Sequence, residues 1–191
     1  MGAHRREDRT NLDVFQIDTL NKIFILYEHM IKKTWSLILV LIISTDVQSA
    51  QDIYGIVVSV ADGDTVILRV DDTTHKIRLA EIDTPERGQP YGLAATSALT
   101  DLLLGNQVRV KVIKERDRYG RVIGRIFIGQ KDVSTHMVEQ GHAMVYRRYL
   151  TDKSLLELEA DAKYKKLGLW GLPEEERVPP WVWRSRNRTW N

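Results

Sequence analysis

Five short runs rich in valine and isoleucine, each stopped by a turn, constrain this chain more than any other feature. They lie at Ile53 to Val60, Thr65 to Val70, a stretch ending in Ile77 to Ile82, Val108 to Ile113 and Val122 to Ile128. Such residues favour extended backbone, and the first three runs are joined only by Asp62-Gly63 and Asp71-Asp72, so they read as a meander. Aspartate and glycine at the first turn tolerate the positive φ of a tight hairpin. After Pro90 the period changes: Leu93, Ala94, Ala98, Leu99, Leu102 and Leu103 recur at helical spacing, and Gly105 closes the helix. Val133 to Gln140 predicts a second helix capped by Gly141. Thr151 to Leu167 predicts a third, with Leu155, Leu156, Leu158, Ala162 and Leu167 as its apolar stripe and Gly168 as its end.

One helix between the third and fourth strands, and two after the fifth, predict an α+β fold that is mainly β. The matching architecture is a five-stranded Greek-key barrel of the OB-fold kind with three helices. An apolar fraction of 43% over 191 residues is enough for one such core. The absence of cysteine excludes disulfides, thiolate metal centres, cysteine nucleophiles and a lipoprotein anchor. Net charge is only +2, and the first 50 residues, equal in basic and acidic side chains, do not alter it. Attraction for a polyanion must therefore come from local clusters. Arg116, Arg118, Arg121 and Arg125 form one and Arg147 and Arg148 another, whereas for Arg184, Arg186 and Arg188 at the chain's end a solvated charged surface is reading enough.

Residues 30–50 combine Met30, Lys32-Lys33, an apolar run from Trp35 to Ile43 and small residues ending at Ser49-Ala50. That is the make-up of a secretory signal peptide. The run is shorter than the roughly 20 residues of a membrane span. An uncleaved anchor or a buried core helix is the alternative. The expected organisation is an upstream extension over 1–29 with Met30 as the true start, a signal peptide over 30–50, the barrel over 51–170, and a Pro/Trp/Arg tail over 171–191 without helix or strand pattern. Leu12 to Tyr27 carries an amphipathic pattern of its own. Export to the periplasm or the medium follows from cleavage, membrane anchoring from its failure.

The chemistry concentrates in Ile77-Arg-Leu-Ala-Glu-Ile-Asp-Thr-Pro-Glu86. Its first half alternates as a half-buried strand would, and Pro85 then stops the strand, holding Thr84 extended and presenting Asp83 outward. An arginine, two carboxylates and a fixed carbonyl suit a phosphate with a divalent metal. Asp62-Gly63 is by itself only a turn, but Asp64 is a residue the turn does not require. Asp64, Asp83 and the Thr84 carbonyl form an oxygen donor set for a hard cation, Glu86 can reach water beside it, and Arg78 and Arg121 supply forks that fit phosphate oxygens. Those are the parts that phosphodiester hydrolysis needs. His136 stands alone and reads as structural.

Asp62-Gly-Asp-Thr65, Arg78 to Glu86, Tyr91-Gly92 at the start of a helix, and Asp117-Arg-Tyr-Gly-Arg121 together resemble the thermonuclease, or staphylococcal nuclease-like, family over roughly Gln51 to Leu169. The resemblance implies a calcium-dependent endonuclease of DNA and RNA that leaves 3′-phosphates. It implies Asp64, Asp83 and Thr84 as Ca2+ ligands, Arg78 and Arg121 as the pair that stabilises the transition state, and Glu86 as general base. Arg118, Tyr119 and the pair Tyr146 and Tyr149 would contact substrate. The connection from Glu86 to Tyr91 is shorter than in the best-known members, with Glu-Arg-Gly-Gln-Pro90 in place of a basic loop. Trp181 and Trp183 belong to a tail that docks on the barrel or stacks on bases. No stable protein partner and a monomer are expected. The alternative is a barrel of the cell envelope that binds nucleic acid without cutting it.

Overall fold

A computed structural model describes residue 22 and residues 24–32 and 52–187. The chain divides into two compact units, Met1–Ser49 and Ala50–Asn191. In the first, residues 24–32 are helical and exposed, with Lys32 donating to Glu28 at 2.9 Å. Most of the amphipathic run, and the signal-peptide segment beyond Lys32, lie outside the described residues. Among the described residues no helix is long and apolar enough to cross a membrane.

The second unit is built on a closed barrel. Strands β1 (Ile53–Asp62), β2 (Thr65–Val70) and β3 (Thr73–Leu79) form the meander. β5 (Gln107–Lys114) pairs antiparallel with both β1 and β6 (Val122–Ile128). A parallel pairing of β3 with β6, Ile77 opposite Val122 and Leu79 opposite Gly124, closes the ring and leaves neither strand an open edge there. Between β3 and β5 come β4 (Ile82–Asp83) and helix α1 (Gly92–Leu103). After β6 follow β7 (Lys131–Asp132), α2 (Val133–Glu139), β8 (Met144–Val145) and α3 (Ser154–Tyr164). The five-stranded OB-like barrel is as expected, and all three expected helices form.

Val57, Val66, Leu68, Ile77, Leu79, Val110 and Ile126 fill the barrel, and Leu99, Leu103, Met137 and Leu155 close it from the helices. The buried stripe of α1 is Gly92, Ala95, Leu99 and Leu103, so Leu93 and Ala94, taken as apolar contacts by periodicity, face solvent. On α3 the buried set includes Glu159 beside Leu155 and Ala162.

Four local expectations are corrected. The turn glycine Gly63 does not adopt positive φ. It is small because a Cβ there would lie 2.7 Å from Thr84 Oγ1 and 3.0 Å from Ala95 Cβ. The third strand ends at Leu79 instead of running on through Ile82. Glu81 takes a left-handed φ of 66°, and Ile82–Asp83 pairs separately with β8. That crossing buries Asp83 completely instead of presenting it outward. The tail is also ordered, since Pro180–Arg186 forms a short helix, α4, with Pro180 at its start.

Candidate active site

Arg78 sits on β3 opposite Thr65 of β2, at the end of the strand where the barrel opens. Its Nη1 donates to the carbonyls of Leu79 at 2.9 Å and Ile82 at 3.0 Å, which leaves Nη2 facing the acids. Nη2 meets Asp83 Oδ1 at 2.8 Å and Asp64 Oδ2 at 3.0 Å. The β1–β2 turn is stapled to the same place by Leu79 N–H donating to the Asp64 carbonyl at 2.8 Å, and Thr65 Oγ1 donates to Asp64 Oδ1 at 2.9 Å. Asp62 stands behind this pair. Burial first, and then the charge of Asp64, push its carboxyl up to about 6. Burial likewise raises Asp83 against the pull of Arg184 and Arg78.

Glu86 is held on a tight run of turns. Its N–H donates to Gln89 Oε1 at 3.2 Å, Gln89 N–H donates back to the Glu86 carbonyl at 2.9 Å, and Gly92 N–H donates to Gln89 O at 2.9 Å. Gln89 is itself buried and donates onward to the Val178 carbonyl, tying the loop to the tail. Gly92 is required by contact, because a Cβ there would lie 1.8 Å from the Glu86 carbonyl oxygen. Gly92→Ala must therefore displace the Glu86 loop. The expected result is a loss of about 1–3 kcal/mol in chemical denaturation together with reduced turnover. Unchanged values for both would show that the loop does not need this close approach.

From the tail, Arg184 enters the acidic centre. Its Nη1 donates to Asp83 Oδ1 at 3.1 Å and Glu86 Oε1 at 2.7 Å, and its Nη2 to Asp83 Oδ2 at 2.6 Å. Beside it opens a cleft of about 680 Å3 lined by Glu86, Arg118, Tyr119, Trp183, Arg184 and Asn187. Arg118 lies 4.7 Å from the Tyr119 ring centroid and Arg121 5.2 Å from it.

Asp64, Arg78, Asp83 and Glu86 thus come together, and Arg118 and Tyr119 share the cleft with Glu86. Arg121 is turned to its own loop, with Nε and Nη2 donating to Asp117 Oδ2 at 2.9 and 2.8 Å. Burial alone would raise Asp117, but hydrogen bonds from Arg121 and Tyr119 outweigh it and hold the carboxyl below its ordinary value. Tyr146 and Tyr149 form an edge-on pair at 5.1 Å, and Tyr146 stacks on Trp181 with 5.3 Å between centroids. Neither tyrosine lines the cleft.

Residues 76–171 match the family model described as staphylococcal nuclease homologue. An uncharacterized endonuclease of Escherichia coli is 41% identical over 136 residues, covering 71% of this chain and 87% of that protein. The micrococcal nuclease of Shigella flexneri is 40% identical over 163 residues, covering 78% and 91%. The chain belongs to the staphylococcal nuclease family. More distantly, the staphylococcal-like nuclease CAN1 of Arabidopsis thaliana is 38% identical over 116 residues, 61% of this chain and 35% of that protein. As a member of the family, the chain is a nuclease of the hydrolase class, with nucleic acid as substrate.

In this nuclease several residues that shape the site carried no motif. Arg125, grouped by sequence with a basic cluster, is consumed by Glu81, which takes its Nε at 2.8 Å and Nη2 at 2.6 Å. Buried Glu159 accepts from Val145 N–H at 2.9 Å and Arg147 Nη2 at 2.8 Å, tying β8 to α3. Arg184 was visible only as part of a solvated-looking run. The signal that could have found it is Pro179-Pro180 before Trp-Val-Trp-Arg, a proline start for a short helix that carries Arg184 inward.

Proposed function

We propose that this nuclease is a calcium-dependent endonuclease of DNA and RNA that leaves 3′-phosphates. What supports the reading is the convergence of Asp64, Asp83, Arg78 and Glu86 at the mouth of the barrel. Among the described residues no three acidic or histidine side chains converge as a ready metal centre. The donor chemistry nevertheless fits a hard cation: Asp64 Oδ2 and Asp83 Oδ1 both point at one Arg78 nitrogen, and the Thr84 carbonyl is an oxygen donor of the same loop. When bound, calcium would polarise the scissile phosphate and lower the cost of charge on its oxygens.

The chain's own residues supply the rest. Arg78 presents a rigid guanidinium, held by two carbonyls, to a non-bridging phosphate oxygen. Glu86 orients a water and takes its proton as the oxygen attacks phosphorus in line with the leaving 5′ oxygen. Tyr119 and Arg118 flank the nucleotide in the cleft. Arg121, whose fork rests on Asp117, would turn from the neighbouring loop to serve the same charge. Arg121→Lys replaces a fork with a point charge, so kcat/KM should fall roughly 100-fold. Activity within a few-fold of wild type would remove Arg121 from the reaction.

The basic start and apolar centre of residues 30–50 support export to the periplasm or the medium, with the mature nuclease acting as a monomer. N-terminal sequencing of the exported protein tests the export. The central test incubates the full chain with single-stranded DNA and with RNA, in calcium and in excess chelator, followed by end-group analysis. Calcium-dependent internal cuts with 3′-phosphate ends are expected. Binding without cleavage by folded, calcium-loaded protein would instead make the barrel a binding module.

A further inference from the structure

The tail is fixed on both sides of Arg184's approach. Gln89 holds the Val178 carbonyl, and Trp181 lies flat on Tyr146 with 10° between ring planes. From this base α4 sends one guanidinium across two carboxylates, meeting both oxygens of fully buried Asp83 and one of Glu86. Bidentate pairing of this kind is stronger and more directional than an ordinary surface ion pair.

Charge explains why a cation belongs there. Asp64 and Asp83 share Arg78, Asp83 and Glu86 share Arg184, and Asp62 adjoins Asp64, so a chain of four acids is held by two arginines. Without Arg184, Arg78 would be the one cation among the described residues ion-paired to Asp64 and Asp83, and desolvated carboxylates repel strongly. The oxygens Arg184 covers are also those a metal and its attacking water need. Yet the same side chain lines the cleft in which the phosphate must lie, and a fork that fits a carboxylate also fits a phosphate.

We propose that Arg184 is a further phosphate-binding residue of this nuclease, parked on Asp83 and Glu86 as a stand-in cation and transferred to a phosphate oxygen in the cleft when a divalent ion takes the carboxylates. The proposal rests on the reading of Asp64 and Asp83 as metal ligands. It has a signature of opposite signs. Removing Arg184 removes a competitor for the metal, so calcium alone binds more tightly. It also removes a phosphate contact, so cleavage at saturating calcium slows. A merely structural arginine would weaken both.

The test is calorimetric titration of calcium chloride into metal-free full-length wild type, Arg184→Ala, Arg184→Lys and Asp83→Asn at constant ionic strength. It is paired with cleavage of a short single-stranded DNA at saturating calcium. Arg184→Ala should bind calcium at least about tenfold more tightly, the effect of one nearby charge. Its kcat/KM should fall about 100-fold, as when one donor to a developing oxyanion is lost. Arg184→Lys should keep near wild-type calcium affinity, because the charge remains, with kcat/KM still reduced. Calcium should also speed trypsin cleavage after Arg184 in the wild type, a readout that needs no variant to fold. Calcium affinity unchanged or weakened in Arg184→Ala, or no calcium effect on trypsin cleavage, overturns the parking. Full kcat/KM in Arg184→Ala overturns the phosphate contact. Wild type that binds no calcium, or Asp83→Asn that binds it equally well, instead sinks the metal-ligand reading on which the proposal rests.

Discussion

Glu86→Gln is expected to lower kcat by about 100- to 10,000-fold, with KM and the affinity for uncleaved substrate changing only a few-fold. Glutamine keeps the size and the acceptor that meets Arg184 Nη1 at 2.7 Å, and the loop stays fastened by Gln89. What disappears is the capacity to take a proton from water, which matters only in the chemical step. Loss of one negative charge beside the cleft also eases approach of a polyanion, so binding should hold or tighten slightly. Steady-state kinetics with a short single-stranded DNA, alongside fluorescence anisotropy in calcium, separate the two quantities. Equal losses in turnover and affinity would contradict the base assignment and make Glu86 a residue that merely shapes the loop.

The largest stability effect is expected away from the reacting atoms, at Glu81. Its carboxylate accepts from the Thr151 N–H and hydroxyl, from Asp152 N–H at 2.9 Å, and from Arg125 Nε at 2.8 Å. Its own carbonyl accepts Tyr146 N–H at 2.8 Å. Glu81→Gln leaves half-buried Arg125 with Asp132 and Asp152 alone and takes the charge out of the bonds from Thr151 and Asp152, several charge-assisted bonds that together should cost about 3–5 kcal/mol. Against a usual total of about 5–15 kcal/mol, that is enough to unfold a marginal domain.

Burial alone would raise the Glu81 carboxyl, but the bonds from Thr151 and Asp152 and the charge of Arg125 outweigh it and hold it below the ordinary value of 4.5. A depressed carboxyl stabilises fully above its unfolded value and loses that contribution as pH falls through the folded one. The gap between wild type and Glu81→Gln in urea denaturation should therefore be widest at neutral pH. It should narrow as the solution is acidified below 4.5. A gap under about 1 kcal/mol at neutral pH, the level of an exposed pair, would show the cluster to be effectively solvated.

Glu81 also marks where reading by pattern stops. The alternation through Ile77 to Ile82 predicts a strand with one exposed face, whereas every residue from Leu79 to Asp83 is buried and the chain turns left-handed at Glu81. Period-2 reasoning assumes that one face meets water. Here α2 and β8 cover the other side, so alternation lost its meaning at the residues that matter most for the site.

Much was nonetheless local enough to be legible. Runs of β-branched residues, Asp and Gly turns and the leucine spacing of α1 determined the five barrel strands, their turns and three helices, because those preferences act within a few residues. Asp64, Arg78, Asp83 and Glu86 were legible as a set for a similar reason: β2 and β3 are adjacent, and two short turns bring all four to one end of the barrel. Only the tertiary structure decided where the long-range charges go. Arg125 is bound by Glu81, 44 positions away, and Arg184 reaches Asp83 across 101. A charged side chain has the same sequence signature whether solvated or paired. Its fate is set by which carboxylate the closed fold has already stripped of water, and no local pattern records that.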